Sequence, residues 1–450
     1  MAVSGFTTWE VQTGGSDTNG GGFVEGSSGT DYSQQTSAQL SLSDGMCMGT
    51  TNLNSSTGGF TSAMVGNILY LYSSTSMTPE WYEITAYVDT NNVTLDRSGP
   101  YDGGMTINVG GCLATPGGAG QASTNSGASA YGHNCWIKSG TYTLSTTTAN
   151  TSGGPWNDTS SRVLLVAGYN TTRGDLDGQA AQTNKPIIDV GTQASITVLN
   201  VNPNTYSHLT AIKNIVVDGQ SQTSITGFAH NASSGYRNSS ININCHAIDC
   251  TGGFGLNSCY SCEASGCTTG FTGTAYDSVA HSGTTGFASS AVRCLAYENT
   301  TGFDGAVVIN CTAADNTGSG FIVGYTDDAI NCLSVGNGTG FSFDGSRRCG
   351  SFNMVVYNNT TDFSQSIGSI DDARHWNELH TLTADPFTDA ANDDYSLNDT
   401  AGGGAVLRQL GMSIPGQTND KPDFGAVQTY IADSGGGIQI ARGMHGGMRG

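Results

Sequence analysis

The chain has 450 residues and a formal net charge of −21, although only 11% of its residues are charged. Its 15 Lys and Arg are scattered, which excludes the clustered cationic surface that nucleic-acid phosphates require, and no apolar run approaches the roughly 20 residues of a membrane-spanning helix. Its 65 glycines are interspersed with short alternating clusters of Val, Ile, Tyr and Phe in a 36% hydrophobic composition, so the chain reads as folded and all-β.

The opening stretch MAVSGFTTWEVQTGG lacks the basic start and apolar core of a secretory leader. The expectation is that a leader has been removed, or that the protein leaves its cell by lysis or inside a particle. Within residues 1–125, the runs GGFTSAMVGNILYLYSS, EWYEITAYVDTNNVTLDRS and GGMTINVGG suggest a small antiparallel β module, a cap or attachment unit with a turn at Thr90-Asn91-Asn92. Residues 114–132, ATPGGAGQASTNSGASAYG, read as a Gly-rich linker. No window shows a sustained helical period, so helix is expected to be scarce. Strand-like runs then follow at CWIKSGTYTLS (135–145), LLVAGYNTTRGDLDG and KPIIDVG.

From residue 228 a repeat takes over. Phe228, Phe254, Phe271, Phe287, Phe303, Phe321, Phe341 and Phe363 are separated by 26, 17, 16, 16, 18, 20 and 22 residues, most preceded by Thr-Gly or Ser-Gly. A period that drifts while its landmarks persist belongs to a solenoid, which accepts insertions at loops but not in the packed rung. The amphipathic helices of helical repeats and the leucine framework of leucine-rich repeats are both missing, which leaves a β-solenoid. Successive parallel strands lie about 4.8 Å apart, so equivalent residues stack like on like. Phe271, Phe287, Phe303, Phe321 and Phe341 are therefore expected in one interior column. Cys245, Cys262, Cys294, Cys311 and Cys332 fall nine or ten residues before a repeat phenylalanine and form a second. Asn299, Asn337 and Asn359, with Asn316 displaced by one position, suggest an asparagine ladder at a sharp turn. Cys250 and Cys267 take that column in the first two rungs. The cysteines read as buried compact hydrophobes or as disulfides, with Cys250 and Cys267 the best pair for a bond. Cys259 and Cys262 form a lone CxxC without the second pair a zinc site needs, so no metal or cofactor is expected.

Rungs of the form NCxAxxNxTGF on a Gly, Ser and Thr background resemble the right-handed parallel β-helix proteins of the pectate-lyase-like superfamily. The resemblance covers roughly residues 130–370. It implies a parallel β-helix over 130–383, opened by the I-x-x-G-x-Y form at residues 137–142. Residues 384–434 resemble the closing segment of extracellular β-helix proteins, and Asp423, Phe424, Gly425 and Ala426 match its Asp-hydrophobic-Gly-Ala ending. The superfamily includes lyases, hydrolases, adhesins and phage tailspikes, so the resemblance speaks to architecture more than to activity.

Glycosidases on this fold need paired carboxylates roughly 5–10 Å apart, and lyases need a base with a group that stabilises the enolate. Asp327-Asp328, Asp371-Asp372 and Asp393-Asp394 are the candidates, with Asp304 and Asp328 able to meet from adjacent rungs. Strand neighbours point to opposite faces, and Asp is an ordinary turn residue, so catalysis from Asp327 or Asp328 is the weaker expectation. Arg347-Arg348 with Asp344 could bind an acidic sugar, although a solvated loop is the commoner role. His246, His281 and His375 share no close spacing, and no G-x-S-x-G, H-E-x-x-H or P-loop occurs.

Residues 435–450, GGGIQIARGMHGGMRG, change character, with Arg442, His445 and Arg449 as their charges. Ile438 and Ile440 offer alternate apolar contacts for strand addition to a neighbouring sheet edge, Met444 and Met448 adaptable packing, and Arg442 and Arg449 partners for an acidic neighbour. This tail is expected to make contacts with another copy or another assembly protein. The overall expectation is a structural component of a virion or extracellular assembly (a phage decoration, fibre or spike protein) with possible polysaccharide binding. A depolymerising lyase or hydrolase and a bacterial surface adhesin are the alternatives.

Overall fold

The computed structural model describes residues 3–126, 132–144, 163–177, 184–194, 197–200, 211–229, 241–255, 258–305, 307–324, 327–343, 350–365, 375–376, 380–408 and 425. They divide into two compact units. The first comprises Met1–Asp177, Thr183–Gln220 and Phe228–Ile241, and the second comprises Gly178–Gln182, Ser221–Gly227 and Asn242–Gly450.

In the first unit, six antiparallel strands close into a barrel in the order Leu40–Met48, Asn52–Ser55, Asn92–Leu95, Pro79–Asp89, Ile68–Tyr72 and Tyr101–Val109. Period-two alternation turns Cys47, Leu53, Leu69, Leu71, Ile84, Val93 and Ile107 inward, where they pack with Phe60 and Tyr82. The Pro79–Asp89/Asn92–Leu95 hairpin turns where the sequence suggests, with Asp89 Oδ1 accepting the Asn91 N–H at 2.8 Å. The N-terminal strand Thr7–Val11 does not join the barrel. It pairs in parallel with His133–Lys138, which pairs in parallel with Val163–Tyr169. A parallel stack thus begins at residue 7, and residues 1–125 contribute to both architectures.

The segment read as a linker is partly helical. Pro116–Ser126 forms an α-helix despite its glycines. Pro116 stands in the first turn, where its missing N–H costs nothing, and Thr115 Oγ1 accepts the Gly118 N–H at 2.9 Å. Asp17 fixes the entry by accepting the Ala114 and Thr115 N–H groups at 2.9 Å. At the far end Arg97 donates to the carbonyls of Asn125 at 2.8 Å and Ser126 at 3.3 Å. Buried Ala119 and Ala122 complete the contact. Capping and packing override a composition that disfavours helix.

The second unit is a parallel β-helix of short strands, three to a turn. Ser258–Tyr260, Glu263–Ser265 and Thr269–Phe271 make one rung, and Ala275–Tyr276, Val279–His281 and Thr285–Phe287 stack on it in register. Two corners of each rung carry a residue in the left-handed region. The first corner uses Asn244, Ser261, Asp277, Arg293, Asn310, Asn331 and Asn353, all at φ between 50° and 59°. The second uses Asp249, Gly266, Ser282, Glu298, Asp315, Gly336 and Asn358. Asn, Asp and Gly dominate because they tolerate this conformation.

Inside the coil, Phe254, Phe271, Phe287, Phe303, Phe321 and Phe341 stack with centroids 4.7–4.9 Å apart. Phe363 ends the column at 5.9 Å and is 37% exposed. The residue after the first corner points inward and builds the cysteine column. Ser278 stands between Cys262 and Cys294, accepting the Cys262 N–H at 3.2 Å, and Cys311 Sγ accepts the Cys294 N–H at 3.3 Å. Burial raises the thiol pKa of Cys262 and Cys311 and pushes Cys332 up to about 12. All eleven described cysteines are buried thiols, Cys250 and Cys267 included. After the second corner comes the asparagine ladder. Asn316 Oδ1 accepts the Asn299 N–H at 3.0 Å, Asn337 Oδ1 the Asn316 N–H at 2.9 Å, and Asn359 Oδ1 the Asn337 N–H at 2.9 Å. Their amide nitrogens donate to the carbonyls of Ala280, Ala296, Ala313 and Ser334.

The closing segment packs on the outside of this coil. Phe387–Asp389 and Asp394–Leu397 form a hairpin whose Phe387, Tyr395 and Leu397, with Leu382 and Leu407, cover Val279, Leu295, Tyr297, Leu333, Val335 and Val355. Gly425 lies against the same surface, its N–H donating to Asn331 O at 3.2 Å. Asp423, Phe424 and Ala426 lie outside the described residues.

Candidate functional site

Asp328 opens the strand Asp328–Val335, and its neighbours up and down the ladder are Val307 and Gly350. Asp327 Oδ2 accepts the Gly324 N–H at 2.8 Å in a local turn. Asp304 lies in the sheet that carries the phenylalanines and pairs with Ile322, whereas Asp328 belongs to the other sheet. Ladder pairing therefore brings neither Asp304 nor Asp328 beside a second carboxylate. Asp393 is the left-handed residue of the closing hairpin at φ 61, and Asp394 accepts the Ser396 N–H at 3.0 Å. Both are occupied in turn geometry. Asp344, Arg347, Arg348, Asp371, Asp372 and the tail with Ile438, Ile440, Arg442, Met444 and Arg449 lie outside the described residues.

The coil brings together two histidines that stand 35 positions apart in sequence. His246 and Glu263 are ladder partners on adjacent rungs, and His281 lies one rung on, two residues along the strand from Glu263's own partner, Val279. His281 Nε2 sits 3.1 Å from Glu263 Oε1 and His246 Nε2 sits 3.7 Å from it. His246 Nε2 is also 2.9 Å from Ser265 Oγ. Beyond His281 its column continues with Tyr297, the two rings stacked at 4.8 Å. Tyr297 is covered in turn by Tyr395, and burial raises its phenol pKa well above the ordinary value. The cluster thus places a carboxylate between two imidazoles, one of them stacked on a buried phenol. Linear spacing concealed it, because His246 and His281 meet only when distance is counted in rungs. Among the described residues no group of three or more His, Cys, Asp or Glu is arranged to hold a metal ion. Around the first corner from Glu263, Tyr260 and Tyr276 stack at 4.8 Å, and Arg293 forms a two-pronged ion pair with Asp277 at 2.6 and 2.7 Å.

A second polar cluster belongs to the first unit. Glu10 is fully buried and accepts from Arg173 Nε at 2.9 Å, Arg173 Nη2 at 2.7 Å and the Tyr169 hydroxyl. Burial raises its carboxyl pKa, with Arg173 opposing. Arg173 also reaches Asp31 at 3.5 Å. This network braces strand Thr7–Val11 against loop 170–177, a structural role.

No protein-family model matches the chain, and no curated protein sequence does. Distantly similar solved structures include the following two. One is the A-module of the mannuronan C-5 epimerase AlgE6 from Azotobacter vinelandii, 14% identical, covering 57% of this chain and 91% of that one, with a TM-score of 0.36. The other is ORF18 of Geobacillus virus E2, 11% identical, covering 57% of this chain and 54% of that one, with a TM-score of 0.31. Both likenesses are too distant to carry an activity to this chain. No described helix is long and apolar enough to cross a membrane.

Proposed function

We propose that the chain is a structural component of a virion or another extracellular assembly, a decoration, fibre or spike protein. The observation that carries this reading is the continuous stack of seven phenylalanine rings flanked by the asparagine ladder. Identical side chains repeat rung after rung, and the described carboxylate candidates are absorbed into turns and ladders. Such a chain maintains a stiff scaffold. The acidic balance and the basic, apolar segment 435–450 suit assembly with copies of itself or with other assembly proteins. Mass spectrometry of purified particles tests the reading: the protein is expected at a fixed copy number per particle. Recovery only as a lone soluble protein contradicts it.

The His246–Glu263–His281 cluster supports a second reading, a polysaccharide-modifying enzyme on the same coil. Incubation with acidic polysaccharides, followed by assays for reducing ends and unsaturated products, separates the two. Turnover lost in Glu263→Gln would favour the enzyme, and absence of turnover the scaffold.

A further inference from the structure

Apolar side chains gather on the outside of the antiparallel barrel. Met46 and Met48 point outward on either side of buried Cys47, and across the ladder Met48 pairs with Tyr101 and Met46 with Gly103. Met46, Met48 and Tyr101 are 41%, 51% and 75% exposed. Ser73 Oγ donates to Asp102, which ties loop 73–78 beside this strand pair. That loop holds Met77 at φ 54 and 73% exposed, so a large apolar side chain is presented to solvent from a backbone conformation that L residues rarely adopt.

Asp44 lies two positions before Met46 on its strand, and Asp102 follows Tyr101 on the paired strand. Hydrogen bonds from Ser55, Ser56 and Thr57 hold the Asp44 carboxyl below the usual carboxylate range. Asn92 does the same for Asp89, and Ser73 for Asp102. Arg97 is the only Lys or Arg between residues 40 and 109. It is turned onto the Tyr82 ring, Asp96 and the Trp81 carbonyl. The complement of this face is a segment that is apolar, basic and free of carboxylates. Residues 435–450 fit that description, with Ile438, Ile440, Met444 and Met448 interleaved with Arg442 and Arg449 and no Asp or Glu.

We infer that the Met46–Met48–Tyr101 face of the barrel is the docking site for segment 435–450 of a second copy of this chain. The inference rests on the assembly reading and gives it an address. The barrel wall is closed, so docking proceeds through side chains rather than strand addition. Methionines supply adaptable contact and Tyr101 a rigid one.

The test uses the full chain with p-benzoylphenylalanine in place of Tyr101, prepared in light and heavy nitrogen isotopes, mixed and irradiated. Cross-linked peptides joining position 101 to residues 435–450 with one light and one heavy partner are expected. Their yield should fall roughly thirtyfold in Met48→Asp, the size of a hot-spot loss. Arg442→Glu/Arg449→Glu should behave alike and leaves the barrel untouched, which covers the case of a misfolded Met48 variant. Cross-links of one isotope only, cross-links to another segment, or no cross-link overturn the site. Particles that contain the protein without the cross-link leave the assembly reading standing. Cross-linking between copies of a protein absent from particles does the reverse.

Discussion

A methyl group on Gly286 would sit 2.6 Å from the Gly302 carbonyl oxygen and 3.3 Å from the Cβ atoms of Ala280 and Ala296. Gly253 and Gly270 face their own pairs of alanines in the same way, and Gly302 faces the Gly320 carbonyl, the Asn316 amide and Ala296. The glycine of each Thr-Gly-Phe is therefore a steric requirement, because the coil is too narrow there for any side chain. Gly286→Ala is expected to destabilise by about 1–3 kcal/mol through overpacking, measured by urea unfolding. Asn316→Ala leaves the buried Asn299 N–H without its acceptor, at a cost of roughly 1–3 kcal/mol. Asp44 gives a pH-dependent case. Its carboxylate accepts from Ser55 Oγ at 2.5 Å, Ser56 Oγ at 2.7 Å and the Thr57 N–H at 2.8 Å, which lowers its pKa on folding. A group whose pKa is depressed in the folded state contributes stability above its unfolded value and loses it as pH falls through the folded one. The gap in urea midpoint between wild type and Asp44→Asn should therefore be full near about pH 5 and shrink toward about pH 2. A gap that does not change with pH would contradict this.

At the scale of the strand and rung, the phenylalanine and asparagine positions were legible because stacking makes like residues recur at the rung spacing. The cysteine column was legible in part, since Ser278 interrupts it with a side chain of similar size. Phe303 lies mid-stack, 4.9 Å from both Phe287 and Phe321, and Phe303→Ala is expected to cost roughly 3–5 kcal/mol. Cys294, Cys311 and Cys332 should label slowly in the native protein and fully in denaturant, since all three are completely buried. Rapid native labelling would show that the column is open. The helix Pro116–Ser126 was not legible, because its stability comes from Asp17, Arg97 and buried alanines rather than from its own propensity. The parallel strand Thr7–Val11 was hidden for a related reason: its partner His133–Lys138 lies more than a hundred residues away. The His246–Glu263–His281 cluster escaped because the relevant neighbours are set by register, and register becomes known only once the rungs are aligned.

Over the whole molecule, a coil of repeated ladders is combined with a net charge of −21 and a basic, apolar segment at 435–450. The coil's own outward apolar stripe is covered by Phe387, Tyr395 and Leu397, so folding of the coil does not call on residues beyond the closing segment for that face. Removal of 435–450 should therefore leave the unfolding transition in place while it abolishes association. The most direct test compares copy number in purified particles for the full chain and for the chain lacking residues 435–450, with circular dichroism of both proteins as the control for folding. A fixed copy number is expected for the full chain, together with a truncated protein that folds but is missing from the particle. A truncated protein incorporated at the full chain's occupancy, or a full chain that never co-purifies with particles, would contradict it.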